Sequence, residues 1–518
     1  MAAVSGTAVD ISGAMITAPT PLADWMVIAP VAMPIVFGAL LLMVRHHTRL
    51  HAGLAIGALG LTFIANVFLL ARVLTDGPVV MTMGRWLPPF GISFTADTLG
   101  ASMALVGTLV AIVCALYSTR DIEAVGRRYG FYPFMLLMMA GVGGAFLTGD
   151  IFNLYVWFEV FLISSFGMLV LGSEERQLDG AMKYGVLNLI ATSLFLIATA
   201  YLYGIFGTLN MADIAVKAGE LRGTAPLTTL ATLYLLAFGM KAAAFPVNFW
   251  LPASYHTPRI VTAALFGSVL TKIGIYALLR TLVMLFPPER ALLSGLIAWV
   301  AAATMILGVM GALAQTDIRR MMGFVVISGI GVMMAGLALG TPEAVAGTIL
   351  YTFHSMLLMA ALYLLAGVMN EAGGSYSLRE VSGLYRSHPL LAGGAFVLVL
   401  ATAGLPPASG LWPKVLLVKA SLDVGNGWLA FAILASGLLT TIALGRFFLL
   451  AFWRQGAEEA AEGEVPVLGY VVLAALTLPV LVIGVYPEPF IRIAENAASG
   501  LIDPSIYIGT VFPAGATP

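Results

Sequence analysis

Apolar runs long enough to cross a lipid bilayer recur along almost the whole chain, and that recurrence limits what it can fold into. A crossing helix needs about 20 mostly apolar residues. Such runs lie near 25–44, 52–72, 95–118, 131–149, 151–172, 184–207 and 227–250. A second series follows near 260–286, 292–314, 321–341, 344–369, 390–420, 428–453 and 466–487. Backbone polar groups in lipid must be satisfied inside the protein, so the spans are expected to be helices. The pattern predicts an all-α polytopic membrane protein with about fourteen transmembrane helices. Composition agrees: 60% of residues are hydrophobic and 10% charged, against about 25% charged in an ordinary soluble domain. A soluble enzyme and a secreted domain are excluded. A net charge of -1 without a long basic run excludes a nucleic-acid binder. One cysteine, Cys114, cannot supply an iron–sulfur cluster or a disulfide framework alone.

The expected organisation is a three-span segment (1–130), two five-span units (131–290 and 291–455), and a final span with its tail (456–518). No Lys or Arg precedes Arg45, so the amino end lacks the basic region of a cleavable signal peptide. Loop arginines and lysines divide thirteen to seven between the two sides, with Arg280 counted in the minority. That asymmetry predicts both termini on the non-cytoplasmic side. The polar stretches Ser118–Tyr129, Asn370–His388 and Arg454–Glu464 are loop-sized. The last carries Glu458, Glu459, Glu462 and Glu464 and reads as a solvated loop.

Lysine is placed unusually. Arginines sit mostly in loops or at span ends, Arg446 excepted, whereas Lys241, Lys272, Lys414 and Lys419 fall inside apolar segments. Lys241 is the only charge between Arg222 and Arg259, and Lys272 stands alone between Arg259 and Arg280. Lys414 has no charged neighbour back to Arg386. A cation at such depth is expensive. Arginine keeps its proton, while desolvation eases proton loss from a lysine ammonium. These lysines can therefore be proton carriers, or side chains that snorkel to the interface. Lys419, with Asp423 one turn on, suits an ordinary surface pair.

Glu159 has no charged neighbour from residue 151 to 173. It must be neutral there or meet a cation from another helix, for which Lys241 is the natural candidate. A static ion pair is the alternative to a mobile one. Asp97 and Asp150 lie near span edges and read as structural or interfacial. His354, alone between Glu343 and Glu371, is either a satisfied core histidine or a relay group. His46, His47, His51, His256 and His388 flank spans.

Two spans contain helix breakers, in Lys241-Ala-Ala-Ala-Phe-Pro246-Val-Asn-Phe-Trp-Leu-Pro252 and in Gly404-Leu-Pro406-Pro407-Ala-Ser-Gly410-Leu-Trp-Pro413-Lys414. Proline removes a donor and frees a carbonyl. Broken seventh and twelfth helices at corresponding places suggest two inverted five-helix repeats, with the lysine before one break and after the other. No phosphate-cradling glycine loop, metal-spaced Cys/His cluster or credible nucleophile–base pair is present. The expectation is translocation rather than bond making, with no cofactor and no metal.

These residues resemble the antiporter-like subunits shared by Mrp-type cation/proton antiporters, respiratory complex I and membrane-bound hydrogenases. The run from Asp150 through Glu159 to Ser165 looks more like the D-type component of the Mrp assemblies than like its complex I relatives. Ala264-Leu-Phe266-Gly-Ser-Val-Leu-Thr-Lys272 points the same way, since complex I subunits tend to carry histidine where Phe266 stands. Gly404 to Lys414 is similar to the family's broken twelfth span. A length of 518 residues without a large extension looks unlike the longer A-type component of the Mrp assemblies.

The resemblance implies that Glu159 pairs with Lys241, which loads the proton. Lys272 and His354 pass it along a hydrated axis, and Lys414 exchanges it with one side. Relatives often carry a lysine shortly after the histidine, where this chain has Met359, so the link from His354 to Lys414 would rest on water or conduct poorly. The implied function is proton translocation in a multisubunit sodium/proton antiporter of a bacterial plasma membrane. Partner subunits, lipid, protons and sodium are the expected partners. The alternatives are a proton-pumping subunit of a complex I-like NADH:quinone oxidoreductase or hydrogenase, and a scaffolding subunit that no longer conducts.

Overall fold

The computed structural model describes residues 14–455 and 463–512. In chain order its principal helices are α1 (Ala29–Met43), α2 (Thr48–Asp76), α3 (Thr98–Asp121), α4 (Phe131–Leu147), α5 (Ile151–Leu169) and α6 (Glu175–Phe206). They continue with α7 (Leu227–Ala242), α8 (Ile260–Leu285), α9 (Pro287–Ala314), α10 (Ile318–Leu339), α11 (Pro342–Gly373) and α12 (Pro389–Ala403). The last are α13 (Leu411–Asp423), α14 (Gly427–Trp453), α15 (Val467–Val485), α16 (Glu488–Ile502) and α17 (Ser505–Val511). Among the described residues, ten helices are long and apolar enough to cross a membrane. Four shorter apolar helices, α1, α4, α7 and α12, fall at the other expected positions. Of the acidic loop, Glu458, Glu459 and Glu462 lie outside the described residues.

Two features beyond the expected spans occur at one end of the bundle. Val79–Thr82 and Ser93–Ala96 pair as an antiparallel hairpin between α2 and α3. The expected carboxyl-terminal tail is instead ordered as α16 and α17, which return along that end. Thr98 on α3 donates to Asn496 Oδ1 on α16 at 2.6 Å. Hydropathy missed both because the hairpin is short and α16 is amphipathic rather than uniformly apolar.

α8 and α11 form the centre, with their apolar windows wholly enclosed by other helices. Close approach needs small residues. A Cβ at Gly274 of α8 would lie 2.9 Å from the Ala242 nitrogen of α7, and one at Gly267 would lie 2.6 Å from the Tyr363 ring of α11. Glycine therefore lets α7, α8 and α11 touch at the level where the buried lysines lie.

Arg280 is not the loop residue that the charge count assumes. It lies inside α8, 1% exposed. Its Nη2 meets Asp97 Oδ1 at 2.5 Å, and its Nε donates to the Tyr276 hydroxyl at 3.0 Å. Asp97 also caps α3 by accepting from Gly100 N–H at 2.9 Å. Residues far apart in sequence thus lock α3 to α8 near the hairpin. The opposite end is tied by Arg176–Asp317 at 3.8 Å and Arg259–Glu123 at 2.8 Å.

A set of backbone features occurs twice along the chain. Asp150 caps α5, while Ile151 N–H bonds to Leu209 O and Met211 N–H to Gly149 O. Asp317 caps α10, while Ile318 N–H bonds to Tyr376 O and Leu378 N–H to Thr316 O. α6 and α11 have 32 residues each and end on left-handed Gly207 and Gly374. α7 ends on left-handed Ala243 with Ala244 N–H bonded to Gly239 O, and α12 on left-handed Gly404 with Leu405 N–H bonded to Leu400 O.

Arg280→Ala leaves the Asp97 carboxylate buried without its cation, a loss of about 3–5 kcal/mol, and should lower the thermal unfolding midpoint of the purified protein. Arg280→Met with Asp97→Asn removes both charges, keeps a capping side chain, and should recover most of the loss. An unchanged midpoint in Arg280→Ala would show that the pair does not hold α3 to α8.

Candidate functional site

Lys241 occupies the last turn of α7 and is 5% exposed. Its ammonium donates to Thr192 Oγ1 of α6 at 2.7 Å and lies 5.5 Å from the centre of the Phe158 ring. The chain then breaks, and protein groups meet the freed backbone as lipid demands. Phe245 N–H bonds to Thr304 Oγ1 at 3.0 Å, and the Trp250 indole donates to Met240 O at 3.2 Å.

Glu159 and Lys241 form no salt bridge in this structure. The ring of Phe158, one residue earlier on α5, lies against the Lys241 ammonium instead. Glu159 is half-buried, beside exposed Val156 and Ile163 on α5, and its buried Oε1 has no hydrogen-bond partner.

Lys272 is fully enclosed at the middle of α8. A wide π-type turn spans Phe266–Leu270 just before it, a local distortion common at functional sites. One carbonyl of that turn, Gly267 O, takes the Lys272 ammonium at 2.5 Å.

His354 is buried in α11, its Nδ1 2.7 Å from Ser409 Oγ. Ser409 belongs to the break between α12 and α13. Met359 is buried too and brings no polar group. The contact from His354 toward the second break is therefore a serine hydroxyl, where the resemblance left only water. Lys414, in the first turn of α13, folds back across the same break. Its ammonium donates to Ala403 O at 2.8 Å and Thr402 O at 3.2 Å, the carbonyls that the end of α12 exposes. Gly404 makes this possible: a Cβ there would lie 2.9 Å from Lys414 Nζ, and its φ of +83° also disfavours other residues.

The helices and breaks that carry these groups touch one another in turn. Lys241 adjoins Ala242, which abuts Gly274 on the helix of Lys272. Gly267, holding the Lys272 ammonium, packs on Tyr363 of α11, and His354 of the same helix touches Ser409 and Gly410. Thr192, Ser409 and the Thr402–Ala403 carbonyls were not singled out from sequence; Ser409 alone carried a hint, as a polar residue inside a proline-rich break. Lys419 is exposed and bridges Glu343 at 2.7 Å and Asp423 at 3.3 Å. Asp97 and Asp150 serve as helix caps. Among the described residues, no three His, Cys, Asp or Glu side chains cluster as metal ligands.

Residues 148–440 match the family model described as NADH:quinone oxidoreductase/Mrp antiporter, TM. The chain is 40% identical to the D-type component of the Na(+)/H(+) antiporter of Alkalihalophilus pseudofirmus, across 94% of this chain and 99% of that one. Identity to the D-type component of the Bacillus subtilis Na(+)/H(+) antiporter is 35%, with the same coverage. A chain in the structure of the Mrp complex from Dietzia sp. is similar with a TM-score of 0.89 and 28% identity, covering 95% of this chain and 100% of that one. A chain of respiratory complex I from Thermus thermophilus gives 0.82 and 27%, covering 92% and 99%. With the family model spanning more than half of the chain and D-type relatives matched almost end to end, this chain belongs to the NADH:quinone oxidoreductase/Mrp antiporter family.

Proposed function

We propose that this chain is the proton-translocating D-type component of a multisubunit Na+/H+ antiporter, and that Glu159, Lys241, Lys272, His354 and Lys414 carry its protons. The observation that supports this reading is the set of amines and imidazole inside the bundle, each bonded to an uncharged oxygen and carried on helices that touch one another. A lysine can surrender its proton to a neighbour, which arginine cannot do. A hydroxyl or carbonyl partner leaves no stranded anion when that happens. Protons moving inward along these groups would drive sodium outward, with other subunits completing the cation path. The reaction is transport, not bond making.

The duplicated caps, breaks and equal helix lengths support reading 131–290 and 291–455 as two five-helix units. Five crossings per unit set the second upside down relative to the first, as Asp150 near the hairpin end and Asp317 at the opposite end also suggest. The bacterial relatives support a bacterial inner membrane, and the loop-charge asymmetry supports both termini on its non-cytoplasmic side. Flavin or iron–sulfur partners in the isolated native assembly would favour the oxidoreductase alternative instead.

In inverted vesicles, Lys241→Ala and Glu159→Ala should each abolish sodium-dependent proton efflux while the complex still assembles. Normal transport in both variants would reject the relay, and Lys419→Ala should be nearly silent. Ser409→Ala deletes one hydrogen bond to a group that changes charge, and should slow exchange by about tenfold. Ser409→Thr, which keeps the hydroxyl, should restore most of the rate, and equal rates in both would remove Ser409 from the path.

A further inference from the structure

Lys272, Tyr276 and Arg280 recur at every fourth position of α8, so they share one helix face that leads from the middle of the protein to its hairpin end. Such a stripe could let protons escape from Lys272 to that surface. Past Arg280 lies Asp97, and Asp97 borders a cavity of about 280 Å³ with Thr98, Asn496, Asp503 and Tyr507 in its wall. The route therefore reaches within one ion pair of a vestibule that has polar groups in its wall.

Each link in that stripe is engaged. The Tyr276 hydroxyl donates to Phe146 O at 2.8 Å and accepts from Arg280 Nε at 3.0 Å. Arg280 Nη2 is bound to Asp97 Oδ1 at 2.5 Å. The guanidinium carbon lies 5.1 Å from the centre of the Tyr276 ring and 5.6 Å from that of Tyr507, so aromatic faces flank the cation. Arginine does not give up its proton in proteins, so the file cannot hand one on. Along the route the positive member faces Lys272 and the negative member faces the vestibule. A proton-bearing group moving outward meets a fixed positive charge first, the device that excludes cations in selective pores.

We infer that Arg280, held by Asp97 and by Tyr507 of the carboxyl-terminal α17, is an electrostatic plug that closes the direct route from Lys272 to the hairpin side. Protons loaded in the first unit then leave only sideways, through His354 toward Lys414. The inference rests on the relay proposed above and gives the ordered tail a function: α17 supplies one wall of the seal.

The test is passive proton leak in liposomes holding the native multisubunit complex, under an imposed pH gradient with choline replacing sodium. Wild type should hold the gradient. Arg280→Met with Asp97→Asn should collapse it severalfold faster, and Arg280→Lys, which keeps the charge but can release a proton, should leak to an intermediate extent. Adding Lys272→Ala to the double variant should restore tightness. Wild-type tightness in both assembled Arg280 variants would overturn the plug and leave the relay standing. A leak that survives Lys272→Ala would overturn the assigned route from Lys272. Failure of the relay itself is read separately, as sodium-dependent efflux that persists in Lys241→Ala.

Discussion

A cation enclosed by apolar helices must be held by something, and the kind of partner decides what the cation can do. Lys241 is held by a threonine hydroxyl, Lys272 by one backbone carbonyl and Lys414 by two. Arg280, as enclosed as Lys272 while Lys414 is half-buried, is held by a carboxylate. A neutral partner tolerates loss of the ammonium proton, whereas a carboxylate left without its cation becomes a buried anion at several kcal/mol. The division follows the chemistry of the two side chains. At these four sites, groups able to deprotonate have partners that allow it, and Arg280, which cannot, has a partner that forbids it; Arg446, half-buried in α14, bonds instead to the Leu313 carbonyl.

Backbone irregularity supplies the carbonyl partners of Lys272 and Lys414. A regular helix keeps its carbonyls occupied, so none is free to hold a lysine. The wide turn at Phe266–Leu270 and the end of α12 at Gly404 present carbonyls at depths where lipid could not satisfy them. The same breaks bring in side chains from the loop, and Ser409 reaches His354 this way. Breaks, glycines at helix contacts and buried amines therefore form one arrangement rather than three separate oddities.

The spans were legible because desolvation is a sum over some twenty residues, and charges such as Lys241 and Lys272 stand out against it. Hydropathy carries no information on rotation about a helix axis. That is why Glu159 was expected to pair with Lys241, although the ammonium bonds to Thr192 and lies by the Phe158 ring. It also placed Arg280 in a loop, because a charge near the end of an apolar run looks like a boundary; its partner Asp97 is far away in sequence. The hairpin at Val79–Ala96 was invisible because its strands are four residues long. Thr192 and Ser409 are ordinary residues whose importance comes entirely from what the fold sets beside them.

Charge and protonation are separable at Lys272, since arginine preserves the first and forbids the second. Sodium-dependent proton exchange in vesicles carrying Lys272→Arg is therefore decisive. Carriage of protons by the amine requires that exchange be lost while the complex assembles normally. Exchange at the wild-type rate would mean that Lys272 acts only as a fixed charge, and that protons cross by another route.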